Sequence, residues 1–218
     1  MNLLDAKWQT LQRRSRIFKY IPFIDFILVS GSMALGNVKE DSDFDVIVGA
    51  RRGRIFTVRF LCWLIFGLLG WRAQHNPLSS QNDKFCFNHF VTEKSYQFSP
   101  PYNRYWQELY QNLVPIYGRK DLIKKFWETN RSWAGEKEYA YDYFFGARSW
   151  VINKIAEKFM GGFLGRVFET ILRKIQIFKI KNSVKKLGLG YEPRVKYSYD
   201  EIELHPDTKR IGEFLKNN

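Results

Sequence analysis

Between residues 23 and 48 the alternation of apolar and polar positions changes character three times. Phe23 to Val29 is almost continuously apolar, which fits a strand covered on both faces. Ser30-Gly31-Ser32 ends the run, and Ser32-Met33-Ala34-Leu35 can open a short helix. A polar loop, Asn37 to Ser42, leads into Asp43-Phe44-Asp45-Val46-Ile47-Val48. Side chains alternate along a strand, so this segment predicts Asp43 and Asp45 on one side and Phe44 and Val46 on the other.

The flanks follow helical and strand periods in turn. Residues 3–20 predict a helix with Leu4, Trp8 and Leu11 on one face, stopped by Pro22. Gly49 to Arg54 reads as a basic turn, followed by a helix from about Ile55 to Phe66 and a loop from Gly67 to Ser80. Lys84 to Val91 is a strand candidate, with a turn at Thr92–Ser95 and a short return over Tyr96–Phe98. From about Pro101 the pattern predicts helices: Arg104–Val114, ended by Pro115; Lys120–Thr129; Glu136–Phe145; Ser149–Phe159; and Val167–Ile180, with Gly161-Gly162 and Gly165 loosening the last junction. The tail from Tyr197 is mixed in charge and is read either as packing back on the body or as staying loose.

Composition narrows the class. The chain has 218 residues, enough for one large domain or two small ones. Cys62 and Cys86 lie in apolar surroundings and are expected as buried thiols of a reducing compartment, not as a disulfide or a metal site. No signal peptide is read at the N-terminus, and the longest apolar run, Phe60 to Trp71, is too short to span a bilayer. A cytoplasmic protein is the expectation. The net charge of +13 points to an anionic partner: nucleic acid, a nucleotide or a membrane surface. Ten basic residues against two acidic ones lie between Lys158 and Lys196. That segment fits a nucleic-acid backbone, peripheral contact with an anionic membrane, or a plain solvated face.

The chemistry concentrates where the pattern changes. Glycine in the Ser30-Gly31-Ser32 turn lets backbone approach a ligand closely, and the helix that follows aims free N–H groups at an anion. Two carboxylates as close as Asp43 and Asp45 repel unless a cation joins them, and a divalent metal is the natural one. Gly31-Ser32, a ten-residue spacer and Asp43-Phe44-Asp45 resemble the signature of nucleotidyltransferases of the DNA polymerase β superfamily. Ala34, Gly36, Ser42 and Val46-Ile47-Val48 fit its small bacterial and archaeal members. Looser similarity over Phe85–Phe90, Leu113–Gly118 and Asn130–Trp133 would extend it across most of residues 20–135.

The resemblance implies an α/β (α+β) fold, with a polymerase β-type mixed sheet in a nucleotidyltransferase domain of residues 1–100. A helical, basic domain of residues 101–218 would follow. It implies transfer of a nucleoside monophosphate from a nucleoside triphosphate, ATP being the expected one, to an acceptor such as RNA or another anionic substrate, with release of pyrophosphate. Asp43 and Asp45 would be catalytic and bind Mg2+ or Mn2+, and Gly31 and Ser32 would bind the nucleotide. Arg51, Arg52 and Arg54 are read either as phosphate contacts or as solvated loop charges. The superfamily places a third carboxylate on the following strand, and Phe85–Val91 has none. Asn88 or His89 stands at that place, with Asp83 and Glu93 flanking it. The alternative is therefore a catalytically weakened nucleotide- or nucleic-acid-binding module.

Overall fold

The computed structural model describes residues 2–74, 81–100, 102–146, 150–186 and 194–205, without the side chains of Trp150 and Ile152. Residues 75–80 of the expected loop, Pro101, Ser149, Glu192 and the tail from Pro206 lie outside the described residues. The fold is mixed, with helices on both sides of a six-stranded sheet.

The strands are β1 (Ile24–Val29), β2 (Phe44–Ala50), β3 (Phe85–Val91), β4 (Val114–Gly118), β5 (Arg194–Tyr197) and β6 (Glu201–His205). Their order is β4-β1-β2-β3-β6-β5. β2 and β3 run parallel, and every other neighbouring pair is antiparallel. The sheet thus takes strands from both sides of residue 100. Every residue of β1 is buried, as a strand covered on both faces requires.

The α-helices among the described residues are α1 (Leu3–Ser15), α2 (Gly31–Leu35), α3 (Ile55–Leu68), α4 (Arg104–Gln111), α5 (Lys120–Ala134), α6 (Trp150–Gly161) and α7 (Phe163–Lys186). Asn2 caps α1 by accepting from Asp5 N at 2.8 Å, and Trp8 and Leu11 enter the core from it. Phe44, Val46 and Val48 of β2 pack with Phe18, Phe56, Phe66 and Leu172 on one face of the sheet. Ile47, with Phe26 and Leu28 of β1, packs with Trp106, Leu109 and Phe126 of α4 and α5 on the other.

Two expectations are corrected. The helix expected over Arg104–Val114 stops at Gln111, and Val114–Gly118 is a strand despite Pro115. β4 is the outermost strand on its side, and an edge tolerates a residue that cannot donate to a ladder. No helix forms over Glu136–Phe145. Three of its aromatic side chains separate: Tyr143 stacks on Trp8 with centroids 3.9 Å apart, Tyr139 is buried under α4 and α5, and Phe145 stacks on Tyr117 at 5.6 Å, while Tyr141 and Phe144 meet each other. Of the two readings of the tail, packing back is the one found over its described residues: β6 pairs with β5 and borders β3.

Candidate functional site

The Gly31 turn and the acidic pair meet because β1 and β2 are neighbours. Ser30 N donates to Asp45 O at 2.9 Å, which pins the end of β1 to the start of β2. Gly31 has φ +63°, a left-handed conformation natural to glycine. A Cβ there would overlap Asp45 Oδ2 and lie 2.9 Å from its Cγ. Glycine is required twice, for backbone freedom and for the approach of the carboxylate. α2 holds only five residues, so it offers the individual N–H groups of its first turn, not a long helix dipole.

Phe44, fully buried, anchors the start of β2 and leaves Asp43 and Asp45 half-buried on either side of it. Opposite Asp45 on the parallel strand stands Cys86. Ligand-capable atoms of Asp43, Asp45 and Cys86 all lie within 4.8 Å of one another. Burial, then the two carboxylates, push the Cys86 thiol well above its ordinary range, so it stays protonated and hydrogen-bonds to them. The register runs Asp45↔Cys86 and then Ile47↔His89, so β3 carries one extra residue as a bulge. Asn88, in this stretch, donates from Nδ2 to Asp45 Oδ1 at 3.2 Å.

This arrangement resolves the four candidates for a third carboxylate. Asn88 is the one beside the pair. His89 turns to the C-terminal hairpin, 3.6 Å from Glu201. Glu93 pairs with Lys125 beyond the end of β3. Asp83 is held by Lys7, Nζ to Oδ1 at 2.9 Å. Lys7 also donates to the carbonyls of Glu40 at 3.0 Å and Ser42 at 2.9 Å. That buried ammonium fixes the loop that delivers Asp43. Lys7 stands three residues after Leu4 and four before Leu11, on the apolar face of α1, which is the signal of its burial in the sequence. Cys86 is buried as expected, but the setting beside two carboxylates depends on strand pairing that no local pattern reveals.

The arginines following β2 stand at its opposite end. Arg54 donates to the carbonyls of Gly161 and Gly165, both at 2.9 Å, and so ties the α6–α7 turn to the body. Arg51 pairs with Glu157 at 2.8 Å. Arg51 and Arg52 line a polar cleft of about 410 Å³ with Arg119 and Lys125, away from the acidic pair. A second group of ligand-capable atoms, on His89, Glu203 and His205, also lies within 4.8 Å. Arg194 bonds Glu203 at 2.5 Å and Lys196 approaches it at 3.2 Å, so its charge is already met by cations.

Of the two groups, the one at Asp43 and Asp45 fits a hard divalent metal. It combines two half-buried carboxylates with a glycine cradle whose Cβ would fill the space beside Asp45, and oxygen donors of this kind suit Mg2+ or Mn2+. Comparison with protein-family models, curated proteins and solved structures finds no match to this chain.

Proposed function

We propose that the chain is a nucleotidyltransferase that moves a nucleoside monophosphate from a nucleoside triphosphate, ATP first among them, to an acceptor hydroxyl and releases pyrophosphate. The observation that carries this reading is the contact between the Gly31 turn and Asp45, which joins an anion cradle to a carboxylate pair. A hairpin that was merely acidic has no need of a left-handed glycine packed on its aspartate.

In this reading Asp43 and Asp45 hold Mg2+ or Mn2+. When bound, the metal supplies charge neutralisation at the triphosphate and Lewis-acid activation of the phosphorus under attack. The N–H groups of Gly31 and Ser32 and the Ser32 hydroxyl donate to the terminal phosphates. Phe44 and the Ser30–Asp45 bond keep these groups in register, so catalysis here is chiefly positioning and electrostatics. Asn88 orients Asp45 by its amide and cannot accept a proton. The attacking hydroxyl therefore loses its proton to solvent or to the acidic pair, and turnover is slow.

The second reading, a module that binds nucleotide without turnover, draws on the same asparagine. Incubation with each α-labelled triphosphate and magnesium separates the two, with cellular RNA, protein and metabolites as acceptor pools. Label entering one pool, and absent with Asp43→Asn/Asp45→Asn, supports the transferase and identifies its acceptor class. Magnesium-dependent nucleotide binding with no label in any pool supports the module.

A further inference from the structure

The α6–α7 hairpin is apolar on two sides. Leu172 and Ile180 enter the core, with Phe168 and Ile177 packed beside them, and polar groups complete its attachment to the body. Asn153 donates to Lys19 O at 3.1 Å. Glu157 accepts from Phe23 N at 3.0 Å, and Glu169 accepts from the backbone N–H groups of Phe56 and Thr57 at 2.9 and 2.8 Å. Gln176 accepts from Arg59 at 2.6 Å and donates to Phe56 O at 2.8 Å. Its water-facing side is apolar. Leu164, Val167, Ile171, Ile175 and Phe178 follow one another by three or four residues, which makes one stripe along α7, and they are 40–76% exposed. Val151, Ile155 and Phe159 form the same pattern on α6, at 55–79%. Phe163, 69% exposed, continues the apolar surface across the turn. A helix packed on a globular core turns one apolar stripe inward, as α7 does with Phe168, Leu172 and Ile180. A second stripe facing water over this length marks an interaction surface.

Charge selects the occupant. Residues 150–186 hold nine basic and two acidic side chains. Both acids, Glu157 and Glu169, are turned inward to backbone N–H groups, so the outer surface carries positive charge without acidic neighbours of its own helices. Lys154, Lys158, Lys174 and Lys181 are exposed beside the stripes. A second copy would oppose two surfaces of the same sign. A nucleic acid would meet the lysines and leave the phenylalanines in water. An anionic bilayer meets both, with acyl boundary for the stripes and phosphate headgroups for the lysines, whose stems reach past apolar neighbours. Among the described residues no helix is long and apolar enough to cross a membrane, which agrees with a hairpin lying in the surface plane.

We propose that the α6–α7 hairpin docks the protein on the surface of an anionic lipid bilayer through its outward apolar stripes and flanking lysines. This proposal stands independently of the chemistry at Asp43 and Asp45. The test is co-sedimentation of the full chain with phosphatidylcholine vesicles, with and without phosphatidylserine. Sedimentation with the anionic vesicles alone is expected. Each lysine removed should lower the partition coefficient by about fivefold, and Phe159→Asn/Leu164→Asn by about tenfold or more. These two side chains are 79% and 76% exposed, so an unchanged circular dichroism spectrum is expected of the variant. Absence of sedimentation, or sedimentation indifferent to that variant, would overturn the proposal. So would a dimer that the same variant converts to monomer, or RNA binding that it abolishes, since each assigns the face to another occupant.

Discussion

At Gly31 two demands meet in one residue, a positive φ and the absence of a Cβ against Asp45. Gly31→Ala is expected to lower stability by about 1–3 kcal/mol and to displace the Asp45 carboxylate. Urea denaturation measures the first effect and magnesium titration the second. Unchanged values in both would mean that the contact is incidental. Asn88 allows the converse substitution. Asn88→Asp supplies the third carboxylate, and with magnesium it is expected to raise turnover by about a hundredfold. Without metal it should lower the melting temperature, since three carboxylates would then share one pocket. Turnover indifferent to the change would separate position 88 from the chemistry. The Gly31-Ser32 and Asp43-Asp45 pairs were legible because each is local: a turn and a strand alternation. Asn88 was legible only as one of two candidates beside them, through the resemblance, and Cys86 was not recognisable as a neighbour, because the parallel pairing of β2 with β3 and the bulge between them are tertiary facts.

Among the elements, α3 lacks a cap of its own. Its N-cap residue is Arg54, with no side-chain capping bond, and Glu169 of α7 accepts the N–H groups that a local cap would serve. Glu169→Ala is expected to cost about 1–3 kcal/mol, read as a lower urea midpoint. A midpoint equal to that of the parent chain would contradict the cap. The β5–β6 hairpin carries a pH dependence. Burial brings the His205 imidazole down from 6.5 to about 4, against the pull of Glu203. His89, Arg194 and Lys196 add to the lowering, and Trp106 lies against the ring. Between these pH values the unfolded chain takes up a proton that the folded chain refuses, so stability falls as pH drops from about 6.5 to about 4. Burial pushes the Glu203 carboxyl up, but His89 and Arg194 outweigh it and hold it low; its stabilisation is present above about 4.5 and lost in acid, in the same direction. His205→Gln is expected to flatten the slope of the urea midpoint across this window, and an unaltered slope would refute the assignment. The early strands and long helices were readable from period alone. Three segments were not, for reasons of context: Pro115 is tolerated because β4 is an edge, Tyr139, Tyr143 and Phe145 each find a different partner, and the short charged β6 strand is held between β3 and β5.

Over the whole molecule, the net charge of +13 is unevenly used. Arg51 and Arg54 fasten the α6–α7 hairpin to the body, Lys7 braces the loop before Asp43, and the lysines of α6 and α7 face outward. The acidic pair and the basic hairpin lie on different elements, so the proposed chemistry and the proposed docking can be altered separately. The most direct test of the chemistry is pyrophosphate release from ATP by the full chain with magnesium, beside the Asp43→Asn/Asp45→Asn variant, with a cellular extract as acceptor. Release that requires magnesium, and that disappears in a variant with the parent circular dichroism spectrum, is the expected result. Release that persists undiminished in the variant would contradict the account at its centre.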